Sequence, residues 1–309
     1  MSLVTRYLDP SLIERLNALQ LSARSVVEGT TVGQYRSPVR GASVEFRQHR
    51  PYVAGDEPRR LDWRVLARTD RPYVRQYDEE TNLRCALLLD RSGSMAYRGR
   101  SDQTTKRRND GGGERKFDYA SKIVASLAYL MLGQGESVGV ATFGPRLDQW
   151  VAPRAGQPQL ARVIDVLERT TASGAADAPG ALGDAADRLG RRSLVVVVSD
   201  RFCDVAGLKA SLARLRHARH EVVLLRVLDD DELTFPFQSW TRLRGLEGEA
   251  ARLCEPAVVR QKYLERFEQH RRALADACKA MRAELHTFPT SRPIDQALVG
   301  FLQHRRGQA

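Results

Sequence analysis

Two aspartates in this chain close apolar runs, and the residues beside them are hard oxygen donors. Asp90 ends RCALLLD (84–90) and opens the run Asp90-Arg91-Ser92-Gly93-Ser94-Met95; Asp200 ends LVVVVSD, directly after Ser199. A third apolar run ends in Asp229, Asp230 and Asp231. Two hydroxyls one residue apart on a tight turn can point the same way, and Gly93 between them allows the bend. Oxygen donors grouped in this way suit a hard cation. The same residue types also favour a plain strand-ending turn, so the run by itself leaves both readings open.

The elements that must position these residues are legible in the pattern. Residues 84–90, 137–143, 194–200 and 221–229 read as strands, and three of the four are continuously apolar, as strands buried on both faces are. Between them Phe117, Ala120, Ile123, Val124, Leu127 and Met131 recur at helical spacing, as do Leu160, Val163, Ile164 and Leu167, and then Leu208, Leu212 and Leu215. Strand and helix in alternation imply an α/β fold with a doubly wound, mostly parallel sheet of Rossmann type. Ligands in such sheets lie beyond the carboxyl ends of the strands, where Asp90 and Asp200 stand.

The remaining chain divides as follows. Residues 1–83 form an N-terminal helix, roughly 10–24, and an arginine-rich arm packed on the sheet, with Tyr73–Tyr77 expected as a strand on the sheet edge. Residues 84–309 form the α/β domain. Residues 98–116 contain no aliphatic or aromatic side chain and three consecutive glycines, and are expected as a flexible insertion between the first strand and the first helix. Residues 233–248 read as loops and a short hairpin. Pro256 opens a long helix marked by Leu264, Phe267, Leu274, Cys278, Met281 and Leu285, followed by a strand near 285–288 and a helix from Pro293 to about Arg305.

The D-x-S-x-S run, with an aspartate ending a later strand, resembles the metal-ion-dependent adhesion site of von Willebrand factor A domains. The resemblance implies Asp90, Ser92, Ser94 and Asp200 as the metal residues, Mg2+ as the ion, and an open position for an acidic side chain of a protein partner. The family's threonine falls near Ala176, which has no hydroxyl, with Asp177 beside it as a further candidate ligand. The site is therefore expected to hold Mg2+ weakly or not at all. Upstream, Arg36-Ser37-Pro38, Gly41, Val44-Glu45-Phe46-Arg47-Gln48-His49-Arg50-Pro51-Tyr52, Gly55-Asp56, Arg59-Arg60-Leu61-Asp62-Trp63, Ala67-Arg68 and Tyr73-Val74-Arg75 resemble the bacterial domain of unknown function 58 (DUF58), a von Willebrand A-like family. Glu232-Leu233, Phe235-Pro236-Phe237, Glu247-Gly248 and Tyr263-Leu264 fit the same family. This resemblance implies a non-enzymatic adaptor or co-chaperone of a MoxR-type AAA+ ATPase.

Composition bears on the competing classes. The formal charge of +11 raises nucleic acid as a partner, yet the arginines are interleaved with acids along the whole chain, which reads as a salt-bridged surface, and nucleic acid is not expected. In the arginine-rich arm, Glu45, Asp56 and Asp62 among Arg47, Arg50, Arg59, Arg60, Arg64 and Arg68 suit either an internal network or a surface for an acidic partner. No membrane-length apolar run and no secretory leader pattern occur, so a cytoplasmic location is expected. Cys85, Cys203, Cys254 and Cys278 are too scattered for a disulfide framework or zinc site. His217 and His220, one turn apart, have no third ligand nearby and read as exposed surface residues. A metal-assisted phosphohydrolase using Asp90 is the enzymatic alternative. Enzymes of that type place a second carboxylate two residues on, where this chain has Ser92, and no acid, base or phosphate anchor is identifiable. Limited trypsin digestion is expected to cut first within residues 98–116; cleavage elsewhere with that segment spared contradicts a flexible insertion.

Overall fold

The computed structural model describes residues 6–17, 44–53, 61–79, 83–99, 114–190, 192–202, 204–248 and 250–308. Residues 100–113, most of the expected insertion, lie outside the described set, as do 18–43 and Cys203. The chain forms two compact units, one of residues 1–26 and 83–309, the other of residues 27–82.

The larger unit is the expected α/β domain. Its strands are β3 (Arg84–Asp90), β4 (Ser137–Phe143), β5 (Leu147–Arg154), β6 (Ser193–Ser199), β7 (Glu221–Leu228) and β10 (Glu284–Pro289). They form one sheet in the order β10-β7-β6-β3-β4-β5, parallel throughout except for β5. Side chains alternate between two cores. Cys85, Leu87 and Leu89 of β3 face one, with the N-terminal helix (residues 10–17, α1), α3 (Lys116–Gly133), α4 (Gln157–Arg169) and α9 (Ile294–Gln308). Ala86 and Leu88 face the other, with α5 (Ala178–Arg188), α6 (Val205–His217) and α8 (Pro256–Met281). Burial on both faces is why β3, β6 and β7 carry uninterrupted apolar runs. Strand order reverses beside β3, so the loops after β3 and β6 flank the crevice where this architecture places ligands.

Several elements depart from expectation. Tyr73–Tyr77 lies in a strand, β2 (Tyr73–Glu79), but it pairs antiparallel with β1 (Val44–Pro51) in a separate two-stranded sheet within the smaller unit. The sheet edge beside β4 is taken instead by β5, which follows after three residues and folds back locally. The short helix α2 (Trp63–Thr69) is capped by Asp62, whose carboxylate accepts from the Arg64 and Val65 amides. Asp62 thus serves a helix end; the side chains of Glu45, Arg47 and Arg50, and residues Asp56, Arg59 and Arg60, lie outside what is described. Leu285 belongs to β10 and not to the long helix, which Arg282 terminates in a left-handed conformation. His220 is buried, not exposed: it follows the end of α6, and its Nδ1 accepts from the Ser193 amide at 3.1 Å.

A hairpin is expected within 233–248; its first strand, β8 (Thr241–Leu243), lies there, but the partner, β9 (Arg252–Cys254), falls beyond it, and the segment begins in α7 (Asp230–Thr234). Among the described residues no helix is long and apolar enough to cross a membrane. Leu87 is fully buried at the centre of the sheet. Leu87→Ala is expected to cost about 2–5 kcal/mol in urea unfolding, against less than about 0.5 kcal/mol for an exposed position such as Leu243→Ala; equal costs contradict the packing described.

Candidate functional site

The loop after β3 is held open-ended by the chain around it. The Arg91 amide donates to the Phe143 carbonyl, the Ser173 amide to the Arg91 carbonyl, and the Gly93 amide to the Gly174 carbonyl. Gly174 has φ +74°, which glycine adopts without strain. Gly93 opens a single 3-10 turn (Gly93–Ala96), and a Cβ there would run into the Leu246 carbonyl oxygen. The close approach is what requires glycine in the Ser92-Gly93-Ser94 run.

Asp90, Ser92, Ser94 and Asp200 come together. Asp90 Oδ1 accepts from the Ser92 amide at 2.7 Å and Oδ2 from the Ser199 hydroxyl at 2.6 Å. The Ser92 and Ser94 hydroxyls are 3.0 Å apart, and Ser94 donates to Asp200 Oδ1 at 3.0 Å. Asp177 does not join them. It is exposed, caps α5, and accepts from the Gly180 amide at 3.1 Å.

The residue that sequence reasoning missed is Lys116. It was assigned to the end of a flexible insertion, yet it is the first residue of α3 with its side chain 1% exposed. Its Nζ donates to Asp200 Oδ2 at 2.5 Å and to Glu232 Oε1 at 2.8 Å, and lies 5.6 Å from the centre of the Tyr97 ring. Burial opposes the ammonium, but Asp200 and Glu232 outweigh it and hold the Lys116 pKa above the ordinary lysine value. Glu232 in turn closes a capping box on α7, with Oε2 accepting from the Asp229 amide at 2.9 Å. Asp229 Oδ2 accepts from the Gly99 amide, and Asp231 Oδ2 from the Tyr97 hydroxyl at 2.8 Å. One signal pointed to Lys116 in the sequence: it is one of six lysines beside 43 arginines, and it directly precedes the apolar stripe of α3.

These residues do not fit a divalent ion. The position expected to supply a third hydroxyl is Ala176, the adjacent carboxylate is turned to a helix end, and Asp200 is already paired with a buried ammonium. None of the oxygens of Asp90, Ser92, Ser94 and Asp200 is an orphaned polar atom. Among the described residues no cluster of three His, Cys, Asp or Glu side chains could hold a metal ion.

A family model described as a protein of unknown function, DUF58, matches residues 48–273, most of the chain. The chain belongs to the DUF58 family. This DUF58 protein is similar to uncharacterized proteins of Mycobacterium bovis and Mycobacterium tuberculosis, each 26% identical over 303 residues, covering 96% of this chain and 91% of theirs. Solved structures similar to it include the conserved hypothetical protein BatB of Bacteroides thetaiotaomicron (13% identity, TM-score 0.44, 72% of this chain and 98% of that one). Another is the VWA domain of SpRpn10 (13% identity, TM-score 0.40, 71% of this chain and 94% of that one). The DUF58 sheet has the expected doubly wound, mostly parallel architecture, with the D-x-S-x-S run on the turn after its central strand.

Asp90 is 1% exposed; burial, reinforced by the Asp200 charge, pushes its pKa up to about 6 from an ordinary 3.8, against the pull of its Ser199 and Ser92 hydrogen bonds. The folded state therefore holds the Asp90 proton more tightly than the unfolded chain does. The stabilisation this gives is full below the unfolded value and is lost as pH rises through about 6. It amounts to on the order of 2–3 kcal/mol. Asp90→Asn cannot ionise, so its stability relative to wild type should rise between pH 4 and pH 7, roughly the window between the two pKa values, and then level off. Denaturant unfolding across pH checks this; a stability difference that does not change with pH contradicts it.

Proposed function

We propose that this DUF58 chain is a non-enzymatic protein-binding module, and that it serves a MoxR-type AAA+ ATPase as adaptor or co-chaperone. The observation that carries the reading is an exposed apolar ribbon seated on the D-x-S-x-S loop. Of the eight large hydrophobic residues exposed among those described, Trp240, Leu243, Leu246, Leu253 and Val258 fall within one short stretch. By the register Leu253 shares one face of the ribbon with Arg242, and Leu243 shares the other with Arg252; exposed apolar residues gathered in one stretch support an interaction surface, whereas scattered single residues are ordinary. The ribbon is two three-residue strands with no third strand among the described residues, and ribbons of this size are marginal alone. It is tied to the site by the Leu246 carbonyl over Gly93 and by Arg201 with Glu247 at 3.1 Å.

Chemistry of the ribbon defines the partner segment. Arg242, Arg244 and Arg252 are exposed beside Leu243 and Leu253, so an apolar segment flanked by acidic residues is complementary. This keeps the expected acidic partner but moves its contact from a metal to arginines. The phosphohydrolase reading has less support, because both oxygens of buried Asp90 are engaged by Ser92 and Ser199.

The experiment is affinity capture of host proteins on the full chain, with mass spectrometry, repeated with Trp240→Ser/Leu253→Ser. A co-eluting AAA+ ATPase, retained at least about tenfold less by the variant, is the expected result, since truncated aromatic anchors at interfaces commonly cost that much or more. Absence of any AAA+ ATPase, or equal retention by the variant, contradicts the proposal.

A further inference from the structure

The buried ion pair of Lys116 remains unexplained by a partner-binding role for the ribbon. A lysine at the first position of a helix faces the positive end of the helix dipole, and full burial adds the loss of hydration. Both costs fall on Lys116, whose side chain is 1% exposed at the start of α3. Asp200 and Glu232 offset them from two separate elements, the end of β6 and helix α7, 84 and 116 residues away in sequence. Such a costly arrangement is best accounted for by what the ammonium holds in place.

We propose that the Lys116 ammonium takes the place of the divalent ion of a metal-ion-dependent adhesion site, so that the loops beyond the sheet are locked without metal. The ammonium and the ion have the same task here, to neutralise the carboxylate at the end of β6. With one Asp200 oxygen on Lys116, the other is left for Ser94, which in turn meets Ser92. The chain of contacts thus runs from α7 through Lys116 and Asp200 to the serine turn. An ammonium is a compact point charge whose three donors spread around it, whereas a guanidinium is a planar fork that pairs side-on with one carboxylate. In a chain with 43 arginines and six lysines, a lysine stands at the one position where a compact, metal-like charge is required. Ala176 in place of a hydroxyl and Asp177 at a helix cap agree with the same conclusion: neither is needed where the cation is tethered.

Two consequences follow. The geometry of this end of the sheet is independent of Mg2+, and an acidic partner does not complete a coordination shell there. The inference stands apart from the ATPase reading, since it concerns how the loops are held and not what they bind.

The test uses the full chain and Mn2+ or Mg2+ alone. Wild type is expected to show no Mn2+ binding by electron paramagnetic resonance at millimolar metal, and the same Tm in EDTA and in Mg2+. Lys116→Met is expected to have a lower Tm in EDTA and to regain much of the loss on adding Mg2+ or Mn2+, because metal then neutralises Asp200 and Glu232 and stabilises by linkage. Lys116→Gln, which keeps a donor to Asp200 without the charge, is the second variant if the first fails to fold. Mn2+ binding by wild type, or a folded variant that gains no metal response, overturns the proposal. If neither variant folds, the wild-type titration still decides: bound Mn2+ overturns it, and none supports it.

Discussion

Charge buried beyond the end of a parallel sheet is the constraint around which this domain is arranged. Asp90 and Asp200 leave adjacent strands at the reversal of strand order, with almost no exposure between them. Two carboxylates in such a place repel each other and lose hydration, and the raised pKa of Asp90 records both effects. Lys116 offsets this charge: its ammonium is shared by Asp200 and Glu232. Removing one member of a buried pair of this kind costs about 3–5 kcal/mol, because the charges left behind are uncompensated. That cation ties the start of α3, whose body is held by apolar packing, to α7 and to the carboxylate beside the serine turn.

The polar lock also explains the rest of the loop architecture. Tyr97 and Gly99, just past the serine turn, are fastened to Asp231 and Asp229 of the α7 cap. Tyr263 of α8 donates to the Glu232 carbonyl at 2.8 Å, fixing α7 from the other side. Among the described residues the β8–β9 ribbon is exposed, with leucines beside arginines, on loops held by this network.

Much of the fold was legible because burial on both faces imposes uninterrupted apolar runs. β3 and β4 have the expected bounds, and β6 and β7 differ by a residue at one or both ends. β5 escaped notice because it is half-exposed, carries Pro153 and has Gln149 at φ +42°, as an irregular edge strand can. β1 and α2 escaped because a hairpin and a seven-residue helix in a small unit show little hydrophobic periodicity. At the site, Asp90, Ser92, Ser94 and Asp200 were visible as a motif, since three of the four fall within five residues. Lys116 was not, because its meaning lies in Asp200 and Glu232, which only the fold brings to it. His220 was misjudged for a similar reason: its partner, the Ser193 amide, lies on another element.

A tethered ammonium, and not a divalent ion, is proposed above to hold the D-x-S-x-S site of this chain. Crystals of the wild-type protein grown in Mn2+, with anomalous diffraction, test it most directly. The account predicts no anomalous peak among Asp90, Ser92, Ser94 and Asp200, with Lys116 Nζ in density between Asp200 and Glu232. A Mn2+ peak at coordination distance from the Ser92 and Ser94 hydroxyls, with Lys116 displaced from Asp200, would contradict it.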